Sequence, residues 1–396
     1  MAQNFDVVVV GSGPAGSAAA VTAARLGLSV ALLDRAVFPR DKLCGGGVTG
    51  RAARHLAEVF GLGIEEDLFL TSRRVRFTAQ GRPLAEVDDA PALHMTMRRE
   101  FDARLHGLAV EAGVEVFAPV KPGALDPARR RLDLADGRSL GFGVLIGADG
   151  INSHIARQLF GQSFDPATVA FALEVEAPPR ADDHVEIDLD AACWGYGWAF
   201  PKCESLTLGV GGLHRANPHL KRNLGHYLAH HGADGHLAGC KGQFLPAGDF
   251  RTRPGRGPVL LVGDAAGLVD PLTGEGIAHA ILSGRLAAEA AGQALAAGDG
   301  GAAFGIYRAA LAPLHGELRQ ARMLQRVVFG RMMHRPMLAV IAARPSMQHR
   351  MLRLLAGELD YADIRKGFFL RLARHGVATV AGRVTGRHNV AAGESA

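Results

Sequence analysis

The chain opens on a nearly unbroken apolar run from Phe5 to Val10, and a glycine follows at once. A short run of this kind predicts a parallel strand buried on both faces. An alanine-rich helix is expected over 14–26, ended by Gly27 as its C-cap. A second strand over 29–33 stops at Asp34, which completes the βαβ opening of an α/β domain. Farther on, segments 73–79, 94–98, 169–176, 185–189 and 206–211 alternate in period two. They predict an antiparallel sheet inserted into that framework. Apolar strands over 140–146 and 258–262 bring the chain back to the first domain. After Gly274 the spacing is helical to about Gly376, with breaks at Pro313, Pro336 and Pro345. The segment 377–396 is polar and glycine-rich and is expected as a flexible tail.

Composition narrows the class. A length of 396 residues suits two or three sub-domains, and 48% hydrophobic residues exclude disorder for most of the chain. Fifty-one glycines imply several backbone positions closed to other residues. Four cysteines without a CxxC pair are no disulfide framework, so a reducing compartment is expected. No basic leader precedes the first strand, and no apolar run approaches the ~18 residues of a membrane span. The expected location is therefore the cytoplasm. The charge is uneven: between Gly316 and His375 twelve basic residues face four acidic ones, whereas the remainder is net −3. Leu352, Leu354, Leu355, Phe368, Phe369 and Leu370 recur among those arginines, beside Met332, Met333 and Met337. These amphipathic helices either pack on the protein body or rest on the anionic inner face of a membrane. No nucleic-acid module is present, and the seventeen histidines show no metal-ligand spacing. Neither nucleic acid nor metal is expected.

Gly11, Gly13 and Gly16 fit GxGxxG directly between a strand and a helix, with Pro14 and Ala15 inside the turn. Asp34 ends the next strand, followed by Arg35. The first glycine makes the turn and the second admits a pyrophosphate to backbone N–H groups. The third allows close helix–strand packing, while the acid takes a ribose hydroxyl. A dinucleotide cofactor is expected. Two later strands deliver Gly-Asp turns to a sheet edge: one carries Asp149 and Gly150, the other Gly263 and Asp264. The second turn continues into Gly274, Gly276 and Ile277.

Together these stretches resemble the p-hydroxybenzoate hydroxylase-type superfamily of flavoproteins. The resemblance implies FAD, with Asp264 on its ribitol–ribose side and Asp149 and Gly150 near its pyrophosphate. Arg98, Phe101, Asp102 and Leu105 match the superfamily's RxxFDxxL segment, which implies Arg98 beside the cofactor. The stretch from Phe38 to Gly50 is similar to the geranylgeranyl reductase family, whose PRxKxCGG and Cys-x5-Gly patterns are met by Arg40, Cys44, Gly45, Gly46 and Gly50. That family's YxWxFPK motif is matched by Tyr196, Trp198, Phe200, Pro201 and Lys202. Residues Leu355 to Tyr361 are similar to its C-terminal helix ending.

The expected fold is α/β: a Rossmann-like FAD-binding domain of p-hydroxybenzoate hydroxylase type over 1–70, 98–163 and 250–300. An inserted antiparallel β-sheet domain for substrate covers 71–97 and 164–249, and a helical C-terminal region covers 301–376. The family resemblance implies an FAD-dependent reductase saturating carbon–carbon double bonds of an isoprenoid chain. Cys44, Tyr196 and Trp198 are the catalytic candidates, and Tyr196, Trp198, Phe200 and Lys202 the substrate candidates. Period-two aromatics would form a wall for an apolar chain, with Lys202 at a phosphate head. No second nucleotide fingerprint occurs, so NADPH, NADH or a small electron carrier would visit as reductant. The proton donor stays open among Tyr196, Cys44 and water. An aromatic monooxygenase or halogenase of the same superfamily is the alternative. Against halogenation, no lysine lies between Lys42 and Lys121.

Overall fold

A computed structural model describes residues 3–363. The expectations for residues 364–396, including Phe368, Phe369 and Leu370, lie outside the described residues.

Five parallel strands form the first sheet in the order Val259–Leu261, Ser139–Gly147, Gln3–Val10, Val30–Leu33, Glu115–Phe117. Val7, Val8, Val9, Leu32 and Ile146 are fully buried, which explains why these strands read as continuous apolar runs. Gly255–Arg256 pairs antiparallel at one edge, and the hairpin Pro122–Asp126 with Arg131–Leu134 branches from Ser139–Gly147. Helix Pro14–Arg25 leaves the first strand and packs against the long helix Ile277–Ala296. Their backbones touch: a Cβ on Gly284 would lie 2.1 Å from the Ala15 carbonyl oxygen. The late helix is thereby fixed beside the first turn of the chain.

The second sheet has seven strands: Lys241–Leu245, Ala170–Ala177, Leu206–Leu213, Gly195–Pro201, Val185–Asp188, Val75–Ala79 and Arg82–Val87, in that order. It is antiparallel except where Val185–Asp188 runs parallel to Val75–Ala79. Segment 94–98 does not join it. Leu93–Met95 instead pairs with Gly47–Val48 and Leu70–Ser72 in a separate three-stranded sheet, and Arg98 starts helix Arg98–Glu111. That helix has no side-chain cap at Met97, so its start left no polar signal in the sequence.

Near the C-terminus the chain forms helices Ala303–Ala310, Ala312–Val328, His334–Ala343 and Pro345–Leu355. Pro313, Pro336 and Pro345 sit in the first turns of the last three, where a missing N–H costs nothing. No helix among the described residues is long and apolar enough to cross a membrane.

Candidate functional site

The glycines of the first turn are held by sterics. Gly11 has φ +102°, and a Cβ there would meet the Ala148 carbonyl oxygen at 2.4 Å. On Gly16 it would meet the Gly11 carbonyl oxygen at 1.7 Å. Gly13 differs: it has extended backbone at the helix N-cap, and a Cβ would meet only Arg40 Nη2 at 3.7 Å and Asp102 Oδ2 at 3.9 Å. Protein packing does not demand glycine at that position, whereas a phosphate lying against the helix N-terminus would. Asp34 is buried, accepting from the Ser12 N–H at 2.8 Å and the Ala36 N–H at 2.9 Å. Arg35 beside it is exposed.

Two arginines share one buried carboxylate next to this turn. Arg98 donates to Asp102 through Nε at 2.7 Å and Nη2 at 2.9 Å, and Arg40 lies 3.0 Å from the same group. One positive charge is left over beside a helix N-terminus, an arrangement that favours an anionic ligand. Burial opposes the Arg98 charge, but Asp102 and the Cys44 sulfur outweigh it and raise its pKa. Half-buried Lys42 shows the reverse. Burial lowers its pKa against the pull of Asp264, and Arg98 adds to the lowering.

The loop Cys44–Gly47 lies on the aromatic strand Gly195–Pro201. A Cβ on Gly45 would sit 3.0 Å from the Phe200 ring and 3.3 Å from Trp198 Nε1. On Gly46, at φ +75°, it would meet the Thr96 carbonyl oxygen at 2.0 Å. The Trp198 indole lies across Gly209 and Gly211 of the next strand, whose added Cβ atoms would come within 2.2 and 3.3 Å of the ring. Trp198 is only 6% exposed, so it forms a floor beneath the loop rather than an open wall. Tyr196 packs edge-on against it at 6.0 Å and donates its hydroxyl hydrogen to the Thr273 carbonyl at 2.7 Å. Burial raises the Tyr196 pKa, with Asp270 and Cys44 adding to the effect. That tyrosine ties the strand to the 270–276 loop.

Lys202, expected at a phosphate head, is buried near Gly46 and lies 3.5 Å from Glu176. It cannot reach a head group in solvent. Asp149 also has local work: its Oδ2 accepts from the N–H groups of His154 and Ile155, and its Oδ1 has no partner. Burial raises its pKa. Gly263, at φ +54°, sits against Ala15, which puts the Asp264 turn beside the first glycine loop. Gly274 lies under the Tyr196 hydroxyl, and Gly276 caps the helix that begins at Ile277.

Glu174 escaped sequence reasoning. It is buried in strand Ala170–Ala177, and its Oε1 accepts the Cys44 N–H at 2.8 Å. Burial raises its carboxyl to about 7, against Lys202, the Cys44 N–H and Lys42. Also missed was an ionic hub around the largely enclosed Arg51. Arg51 lies 3.0 Å from Glu317, 3.6 Å from Asp360 and 3.8 Å from Glu275, while the Thr49 hydroxyl donates to Glu275. Tyr361 donates to Asp270 at 2.6 Å, and Arg54 donates to the Gly357 carbonyl at 3.0 Å. Through these contacts the motif from Leu355 to Tyr361 clamps the C-terminal helices onto the 270–276 loop.

A glycine turn at a helix N-terminus, a buried acid on the next strand and a cationic pair beside them define a dinucleotide-dependent oxidoreductase. Residues 6–117 match the FAD dependent oxidoreductase family. The chain is 35% identical over 314 residues to the menaquinone reductase of Mycobacterium tuberculosis, covering 72% of this chain and 76% of that one. It is 33% identical over 329 residues to digeranylgeranylglycerophospholipid reductase 1 of Methanopyrus kandleri, covering 76% and 84%. Among solved structures, a geranylgeranyl bacteriochlorophyll reductase-like protein from Thermoplasma acidophilum superposes with a TM-score of 0.66 at 23% identity, over 90% and 92% of the two chains. A flavin-dependent brominase gives 0.70 at 20% identity over 94% and 100%. At such identities the two structures show a common fold. The chain belongs to the geranylgeranyl reductase family of FAD-dependent oxidoreductases.

Proposed function

We propose that this chain saturates carbon–carbon double bonds in the isoprenoid tail of a lipid, with a prenylated quinone as the first substrate to test. The observation that carries the reading is the seat of the Cys44–Gly47 loop on the Tyr196–Trp198–Phe200 strand. It brings the cofactor-side turn against an aromatic, largely buried surface suited to an apolar chain. The menaquinone reductase relatives favour the quinone over other prenyl lipids.

In this reading Gly11, Gly13 and Gly16 with Pro14 and Ala15 admit the FAD pyrophosphate to the helix N-terminus, and Asp34 takes a ribose hydroxyl. Arg40 and Arg98, neutralised only in part by Asp102, balance the phosphate charge. Asp264, together with the backbone at Gly274, Gly276 and Ile277, lines the opposite side. Reduced FAD supplies hydride when bound. An isolated alkene stabilises no anion, so proton and hydride must arrive together in a site free of water. Phe200 lies against the alkene, Trp198 braces the loop from beneath and helps exclude water, and Cys44 sits at the loop edge where chain and cofactor meet. NADPH, NADH or a small electron carrier restores the reduced state from outside. Met332 and Met323, 86% and 54% exposed on the arginine-rich helical region, would touch the membrane surface that delivers the lipid.

The test is anaerobic incubation of FAD-loaded, chemically reduced protein with menaquinone, geranylgeranyl diphosphate and an unsaturated ether lipid in parallel. Mass spectrometry should show products heavier by two hydrogens per bond reduced, with the quinone converted first. Unchanged lipids in all three arms would overturn the reading.

A further inference from the structure

We propose that Glu174 donates the proton that accompanies hydride delivery to the alkene, an assignment that rests on the prenyl-reductase reading above. Glu174 lies directly across from Gly209, and Gly209 directly across from Trp198, so all three share one face of the sheet. The indole lies over Gly209 and reaches toward the Glu174 strand. Glu174 Oε1 accepts the Cys44 N–H, but its Oε2 is buried without a partner. Trp198 Nε1 is buried and unpartnered as well. Two orphan polar atoms thus adjoin the same loop, from residues only 7% and 6% exposed.

Holding the loop does not explain an acid here. A glutamine oxygen would accept the Cys44 N–H equally well and would bring no burial cost for a charge. What a carboxyl adds is an exchangeable proton on the free oxygen. Its charged surroundings are Lys202 and Glu176 on its own sheet, Lys241 opposite it on the edge strand, and Lys42 and Cys44 from the loop. Burial dominates these and places the carboxyl at about 7, so a large fraction is protonated at neutral pH. Lys202 and Lys42 then stabilise the carboxylate left after transfer.

The step balances. One alkene carbon takes hydride from reduced FAD, which is oxidised. The other takes the Glu174 proton, so the π bond and the Glu174 O–H bond break as two C–H bonds form. After product leaves, one proton taken up from bulk solvent restores the carboxyl.

The test compares wild type with Glu174→Gln, which keeps the acceptor for Cys44. Infrared difference spectroscopy of the FAD-loaded protein, without substrate, should show a protonated carboxyl band that fades through about pH 7 and is missing in Glu174→Gln. With a prenyl substrate the variant should bind FAD and lipid normally, yet lose roughly 10²–10⁴-fold in kcat. The wild-type rate should fall as pH rises through the same range, and the variant should lack that limb. No titrating band, or a variant with wild-type kcat, would overturn the assignment. Failure of wild type on every prenyl lipid would instead overturn the reading on which it rests, and the infrared result would separate the two.

Discussion

The seat of Trp198 can be disturbed without touching Trp198. A methyl group added at Gly209 would fall 2.2 Å from Cζ2 and 2.4 Å from Cε2 of the indole, where ordinary contact begins at 3.4 Å. The ring must therefore move by about 1.2 Å. It has little freedom to do so. Gly211 approaches another edge of the indole, and Gly45 bounds it at Nε1. Gly209→Ala should cost about 1–3 kcal/mol of stability by overpacking. Because the indole supports the loop that the proposed function sets beside the reacting centre, a shift of this size should lower kcat/KM for the proposed prenyl reduction by about 10²-fold. FAD stoichiometry should hold, since Gly209 belongs to the other sheet from the glycine turn. The assay pairs anaerobic kcat/KM with flavin absorbance and thermal unfolding. Gly235→Ala serves as control, because a Cβ there meets nothing within 4 Å. A Gly209→Ala protein with wild-type turnover and stability would show that the indole position is irrelevant to the reaction.

Three further expectations follow from buried charge. Asp102→Asn strands Arg98 and Arg40 without a counter-charge and should destabilise by about 3–5 kcal/mol in denaturant titration. Tyr361→Phe removes the hydrogen bond to Asp270 and should cost about 2 kcal/mol, with faster limited proteolysis near residues 355–363 as the readout. The Glu174 carboxyl, raised from an ordinary value of 4.5 to about 7, binds more protons in the native state than in the unfolded state between those values. Stability should thus fall as pH rises through that window, and Glu174→Gln should raise the Tm above pH 7, by up to about 3 kcal/mol in stability.

What the sequence disclosed depended on whether a residue's environment is set nearby or far away. The strands over Gln3–Val10 and Ser139–Gly147 were legible because burial on both faces leaves an apolar run. The edge strands Arg82–Val87 and Lys241–Leu245 carry no such pattern: one includes Pro83 in an exposed stretch, and the other is at most half-buried. Gly11 and Gly16 could be read because their neighbours lie in the same motif or close to it in space. Glu174 could not. An acid two residues before Glu176 reads as a solvent face, and what buries it is a loop 130 residues earlier. Lys202 misled for the same reason, since only the fold brings Gly46 and Glu176 over it.

The glycine surplus has a common cause in this arrangement. At Gly11, Gly16 and Gly284 it lets backbone meet backbone around the dinucleotide turn. At Gly45, Gly209 and Gly211 it makes room for a single indole between a loop and a sheet. The second set is what lets two sheets from distant parts of the chain close on each other while keeping charged groups between them. Lys202, Glu174 and Lys42 would find water if the loop stood off by the thickness of a few methyl groups. Pressed close, they lose solvent, and a carboxyl that ordinarily ionises in mild acid keeps its proton to about 7. Replacing any glycine of this set would therefore alter proton affinity as well as packing, so the pH dependence of turnover should move in Gly209→Ala together with its rate.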